Sequence, residues 1–115
     1  MRLTAEQKEL ARKVIKALLD DWMLVEQVED DSLLILVDES RSEMKDLRPT
    51  REFIAFLEQE GFVSNYGMPL DAAPAFGEIT HTYADGRSET VPFRHPHVFD
   101  FRPTQAGLTL LSADA

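Results

Sequence analysis

"REFIAFLEQEGFV", residues 51–63, is the stretch on which the reading of this chain turns. Phe53, Phe56 and Leu57 recur at helical spacing with Ile54 beside them, so the run predicts a helix with one apolar face. Pro49 suits a first helical position, where the missing amide proton costs little. Gly61 follows the last helical residue, where a positive φ is cheapest for glycine, and Leu57 and Phe62 are spaced for the apolar contact that accompanies such a cap. "FVS" then leaves as a strand.

Upstream, Thr4 and Gln7 have the spacing of a capping box. Leu10, Val14, Ala17 and Leu18 continue as a helical stripe, widened by Ile15 and Leu19. Lys8, Arg12 and Lys16 form a basic ridge on one side. Asp20 and Asp21 oppose the helix dipole and predict its end. In "WMLVEQVEDDSLLILVD" two aliphatic runs flank a polar "EDD", which predicts strands near 22–28 and 32–37 joined as a hairpin. Leu18, Trp22 and Val25 equally continue a helical stripe, so residues 22–28 are open between strand and helix. "SEMKDL" has the composition of one short helical turn.

Downstream, residues 65–77 concentrate Gly, Pro, Asn and Asp and read as a loop. "EITHTYADGRSETVPF" is a hairpin signal, with Ile79, His81 and Tyr83 on one face and Asp85-Gly86 at the turn. "HVFDF" alternates again, and Thr104 caps a short last helix. This order of elements is that of an α+β domain. A length of 115 residues fits a single domain, 1–115.

Two segments together resemble winged helix-turn-helix domains. Leu57, Glu58, Gly61, Phe62 and Val63 match the end of the third helix and the first wing strand of that family. Phe101, Thr104, Gly107, Leu110 and Leu111 match the close of the wing and a final helix; the two segments cover about a quarter of the chain. The resemblance implies a small winged-helix-like domain with an additional β-hairpin and a long wing, on a scaffold used for recognition. It departs from the family where a small-residue-rich second helix should precede the third, because that space holds the acidic "DDSLLILVDESRSEMKDL".

Composition narrows the chemistry. The apolar fraction of 43% is that of a globular protein, and the absence of cysteine excludes disulfides, thiolate nucleophiles and sulfur-ligated metals. The longest apolar run, residues 33–37, is strand-sized, and the charged start lacks a signal-peptide core, so a cytoplasmic chain with no membrane partner is expected. The net charge of −9 is unevenly spread: residues 1–19 carry +3 and residues 20–46 carry −8. A solvated surface explains such acidity; the sharper expectation is a face for a basic protein partner, formed by Asp30, Asp31, Asp38, Glu39 and Glu43. Compact acidity of this kind also suits a mimic of DNA charge.

DNA itself is disfavoured by charge, because affinity for phosphates comes from Lys and Arg. Were the family's activity present, Arg48 and Arg51 on the helix with Arg87 and Arg94 on the wing would carry it. A third reading is a metal site built from His81, His95, His97 and Asp100; His95 and His97 stand two apart, but Pro96 between them marks a loop or sheet edge. No Gly-x-Ser-x-Gly elbow or glycine-rich phosphate cradle occurs. The sequence therefore points to a non-enzymatic regulatory module without a cofactor. A second copy is a further candidate partner, through the basic ridge of one chain and the acidic segment of another.

Overall fold

Thr4 opens the first helix as its spacing requires. Its Oγ1 accepts from the Gln7 amide at 3.1 Å, and Gln7 Oε1 accepts from the Thr4 amide at 2.9 Å. The structure, a computed structural model, describes residues 3–30, 32–73 and 75–112. Helix α1 (Ala5–Leu19) buries Ala11, Val14, Ile15, Ala17 and Leu18 along one face. It ends at Asp20, and Asp21 takes a positive φ of 67° to turn the chain into the sheet.

The stretch left open at 22–28 is strand over Met23–Glu26. β1 (Met23–Glu26) and β2 (Leu34–Asp38) pair antiparallel, with Leu24 opposite Leu36, and Leu24, Leu34 and Leu36 are fully buried. The helical turn expected in "SEMKDL" is instead β3 (Glu43–Met44), paired with the end of β2. The cause is the turn before it. Asp38 Oδ1 accepts from the Ser40 amide at 3.0 Å and from its hydroxyl at 2.6 Å, and Oδ2 accepts from Arg41 Nε at 2.7 Å. That reversal returns Met44 alongside Val37, where the ladder competes successfully with a single helical turn.

Helix α2 (Arg51–Gln59) begins two residues later than Pro49 suggests. Thr50 is the cap and accepts from the Phe53 amide at 3.0 Å, so Pro49 precedes the helix, fully buried, with its carbonyl accepting from Leu34. The buried centre of α2 is Ile54 and Leu57, whereas Phe53 and Phe56 are half-buried at its margin. Its end is a complete Schellman turn: the Gly61 amide donates to Glu58 O at 3.0 Å, the Phe62 amide to Leu57 O at 2.9 Å, and Gly61 has φ +82°.

β4 (Val63–Asn65) leaves that turn and pairs with a strand nearly forty positions later, β8 (Phe101–Pro103). Between them lie β5 (Ala75–Thr82), β6 (Ser88–His95) and β7 (Val98–Phe99). β7 adds to β1, giving a sheet of order β3-β2-β1-β7 and burying Phe99. Helix α3 (Gln105–Ser112) folds back on the Schellman turn. Thr104 Oγ1 donates to Gly61 O at 2.5 Å, and a Cβ on Gly107 would collide with the Phe62 carbonyl. One core joins α1, the inner strands, α2 and β8.

The β5–β6 hairpin is a two-stranded sheet of its own. Its turn is a three-residue loop in which the Gly86 amide donates to Tyr83 O at 3.0 Å, Gly86 has φ +89°, and the Tyr83 amide donates to Arg87 O at 2.8 Å. Most of its residues are exposed, so it stands out as an arm. The radius of gyration is 17.4 Å, against about 13 Å for a compact chain of this length. The extents of 65 × 28 × 23 Å record the same elongation.

Candidate functional site

Leu24 and Glu26 stand two apart on β1 and so share its inner face. Glu26 is therefore carried inward and is only 3% exposed. A carboxylate out of water needs cations, and two arginines supply them, with an imidazole close by. Arg51 on α2 donates from Nη2 to Oε2 at 2.6 Å; Arg94, at the base of β6, brings its Nη2 to Oε1; and His97, beyond β6, places Nδ1 at 3.6 Å from Oε2. The Arg94 contact is an ion pair outside good hydrogen-bond geometry, and His97 Nδ1 is beyond hydrogen-bond distance of Glu26. The second Arg51 nitrogen donates to the Leu70 carbonyl, and the guanidinium lies 5.4 Å from the centre of the Phe99 ring. The Glu26 amide in turn donates to His97 O at 2.9 Å.

This cluster fastens the base of the arm to the sheet and to α2. Both carboxylate oxygens face an arginine, Oε2 toward Arg51 and Oε1 toward Arg94. Beside it lies an open groove of about 590 Å³ lined by Ser32, Thr50, Arg51, Glu52, Ala55, Leu70 and Asp71. Its charged rim is acidic apart from Arg51, whose head is turned onto Glu26.

The arginines selected as DNA contacts do not share a face. Arg51 and Arg94 converge on Glu26. Arg48 is exposed and lies 3.9 Å from Asp46, and Arg87 is at the arm tip, bound to Asp85 at 2.7 Å and stacked on Tyr83. The remaining described arginines are also engaged: Arg12 with Leu110 O, Arg41 with Asp38, Arg102 with Asp100. The ridge of α1 is divided likewise, since Lys16 lies 3.9 Å from Asp20.

The selected histidines are separated too. His81 faces Glu89 near the tip of the arm, His95 packs edge-on against Phe93 at its base, and His97 is in the Glu26 cluster. Asp100 is taken by Arg102 at 3.2 Å. Among the described residues no three His, Asp or Glu side chains form a group able to hold a metal ion.

The acidic segment is more structural than its composition suggests. Asp30 Oδ1 accepts from the Ser32 amide and hydroxyl, and these bonds hold its carboxyl below the usual range. Asp38 is buried, and its carboxyl is lowered first by the Ser40 hydroxyl and then by Arg41. Arg41 also lies over Trp22, with Lys45 beside the same ring, at 5.3 and 5.0 Å from its centre. Glu39 and Glu43 remain exposed, Glu43 at 3.9 Å from Arg41. Asp31 lies outside the described residues.

Glu26 was not among the residues selected from sequence. Its signal was there in the strand period, which sets a carboxylate on the same face as Leu24. No helix of the described chain is long and apolar enough to cross a membrane. Comparison with protein-family models, curated proteins and solved structures found no match to this chain.

Proposed function

We propose that this chain is a non-enzymatic recognition module that docks on a protein partner, with Glu39 and Glu43 in the exposed acidic face it offers. The observation that carries the reading is the fate of the arginines. Each described arginine lies within 4.0 Å of an acid or a carbonyl of its own chain, which leaves a surface with no cluster of free arginines among the described residues of a molecule of net charge −9. Such a surface gains little from releasing phosphate counterions and much from meeting a basic protein. The scaffold is winged-helix-like in this reading: α2 plays the third helix, β4 and β8 are the wing's roots, and the β5–β6 arm is its extension. The acidic β2–β3 turn takes the place of the family's second helix.

The role of the acids is now divided. Asp30 and Asp38 hold turns, so the residues to reverse are Glu39 and Glu43. Glu39→Lys/Glu43→Lys is expected to keep the native circular dichroism and to lose a partner that wild type captures from lysate and that mass spectrometry identifies. Retention of every partner by the reversed variant would sink the acidic-face reading. Labelled duplex DNA titrated at low salt is expected to show no anisotropy change; tight, salt-sensitive binding would transfer the function to the DNA-binding alternative instead.

A further inference from the structure

We infer that the open edge of β5 is a pairing surface for a second copy of this chain, through which two arms join into one four-stranded antiparallel sheet. The inference stands apart from the acidic face and concerns a different surface. It begins with the hydrogen-bond phase of the arm. The Tyr83 amide donates to Arg87 O, which makes that pair the hydrogen-bonded one. In an antiparallel ladder bonded and non-bonded pairs alternate. Register runs without interruption from Thr82↔Ser88 to Ala75↔His95, so the pairs of even-numbered residues are the non-bonded ones. Pro92 agrees with this phase, since it sits opposite Glu78 and has no amide proton to give.

The two edges of the arm are consequently unlike. On β6 the outward row includes Pro92, which removes a donor and blunts that edge. On β5 the amides and carbonyls of Phe76, Glu78, Thr80 and Thr82 point outward with no proline and no lysine among them. A two-stranded hairpin alone in water is marginal, and three or more strands are needed for independent stability. The β5–β6 pair forms no sheet with any other described strand.

The residues of β5 choose the second copy and its register. A twofold axis through Ile79 pairs Glu78 with Thr80 of the partner subunit and Phe76 with Thr82 of the partner subunit. A twofold axis through Glu78 would instead set two carboxylates directly opposite each other, which is destabilising. With the axis at Ile79, the outward groups supply on the order of eight backbone hydrogen bonds. Ile79 lies opposite Val91 within the arm, 44% and 40% exposed. Pairing aligns both with their copies as a continuous row of four β-branched side chains. Phe93 flanks that row, its ring beside Gly77 where a side chain would otherwise stand.

Charge permits this contact and opposes others. The arm carries Glu78, Asp85 and Glu89 against Arg87 and Arg94, while residues 20–46 carry −8. Two acidic bodies repel when close. Antiparallel arms hold them at opposite ends of the shared sheet, separated by roughly an eight-residue strand, about 27 Å, well beyond a Debye length of about 8 Å at physiological salt.

The absence of cysteine makes the test clean. Two residues facing each other in a non-bonded antiparallel pair have Cα atoms about 4.5 Å apart, within disulfide range. Oxidised Ile79→Cys is expected to run as a covalent dimer. Val91→Cys, about 14 Å from its copy across three strand spacings, is expected to stay monomeric at the same concentration. Thr80→Pro places on β5 the device Pro92 places on β6; it is expected to sediment as a monomer with wild-type circular dichroism, where wild type shows a concentration-dependent dimer. Wild type that is monomeric at about 100 μM, in the affinity range of a weak dimer, would overturn the inference. So would Ile79→Cys linking no faster than Val91→Cys, or a folded Thr80→Pro dimer.

Discussion

Glu26 shows how one side chain can hold three elements together. Replacing it by glutamine keeps the shape and leaves the half-buried Arg51 and Arg94 without their counter-charge; removing one member of a buried pair costs about 3 to 5 kcal/mol, and the lower end applies here. Urea unfolding of Glu26→Gln is expected to show that loss, and a change of under about 1 kcal/mol would mean that the cluster contributes no more than an exposed pair. Asp38 makes a different prediction, in pH. Its carboxyl is held below its usual range first by the Ser40 hydroxyl and then by Arg41. A depressed folded value means that its stabilisation is complete above the unfolded carboxylate value of about 3.9 and is lost as pH falls through the lower folded value. The gap in urea midpoint between wild type and Asp38→Asn is therefore expected to be widest above about pH 4.5 and to shrink below it. A constant gap from pH 3 to 7 would assign the loss to packing.

The end of helix α2 was legible because it is local chemistry, whereas its start was placed two residues early, at Pro49 rather than after the Thr50 cap. The glycine cap followed from residues within a few positions of one another, and the structure closes it with both Schellman bonds. Gly61 has φ +82° and open space where a Cβ would go, so Gly61→Ala tests backbone strain alone. It is expected to cost about 1 kcal/mol. Thr50→Ala removes the cap at the other end and is also expected to cost about 1 kcal/mol. The ends share no partner, so the double variant is expected to lose the sum in urea unfolding; a clear departure would mean that fraying at one end reaches the other. The inner face was harder to read. Phe53 and Phe56 are larger than Ile54 and fit the same stripe, yet Ile54 is the fully buried one. Periodicity assigns a face of a helix, and the neighbouring elements decide which part of that face is covered.

At the scale of the molecule, the arm beyond its Arg94 root lies outside the body's core. The core joins α1, the inner strands, α2 and β8, while most of the arm is exposed. Replacing residues 78–92 by an Asn-Gly turn is expected to leave a body that unfolds cooperatively with its Trp22 fluorescence intact. The same deletion is expected to abolish self-association in sedimentation. Loss of the body's cooperative transition would show that the arm stabilises the core directly. The pairing of β4 with β8 joins strands that flank nearly forty residues of intervening chain, and the resemblance to a wing, rather than the local residues, suggested it. Strands this short carry no mark of their partner in their own residues, although Val63 and Phe101 both reach the core.

The sequence alone determined whatever depends on near neighbours: the capping box at Thr4, the hairpin turn at Gly86, the glycine end of α2, the α+β order and the excess of negative charge. Only the tertiary structure decided which charges meet, because a buried carboxylate takes its cations from wherever the fold brings them. Arg51 and Arg94 were selected as groups for an outside phosphate, yet both are turned onto Glu26. Desolvation makes leaving that carboxylate unpaired costlier than withdrawing two arginines from the surface.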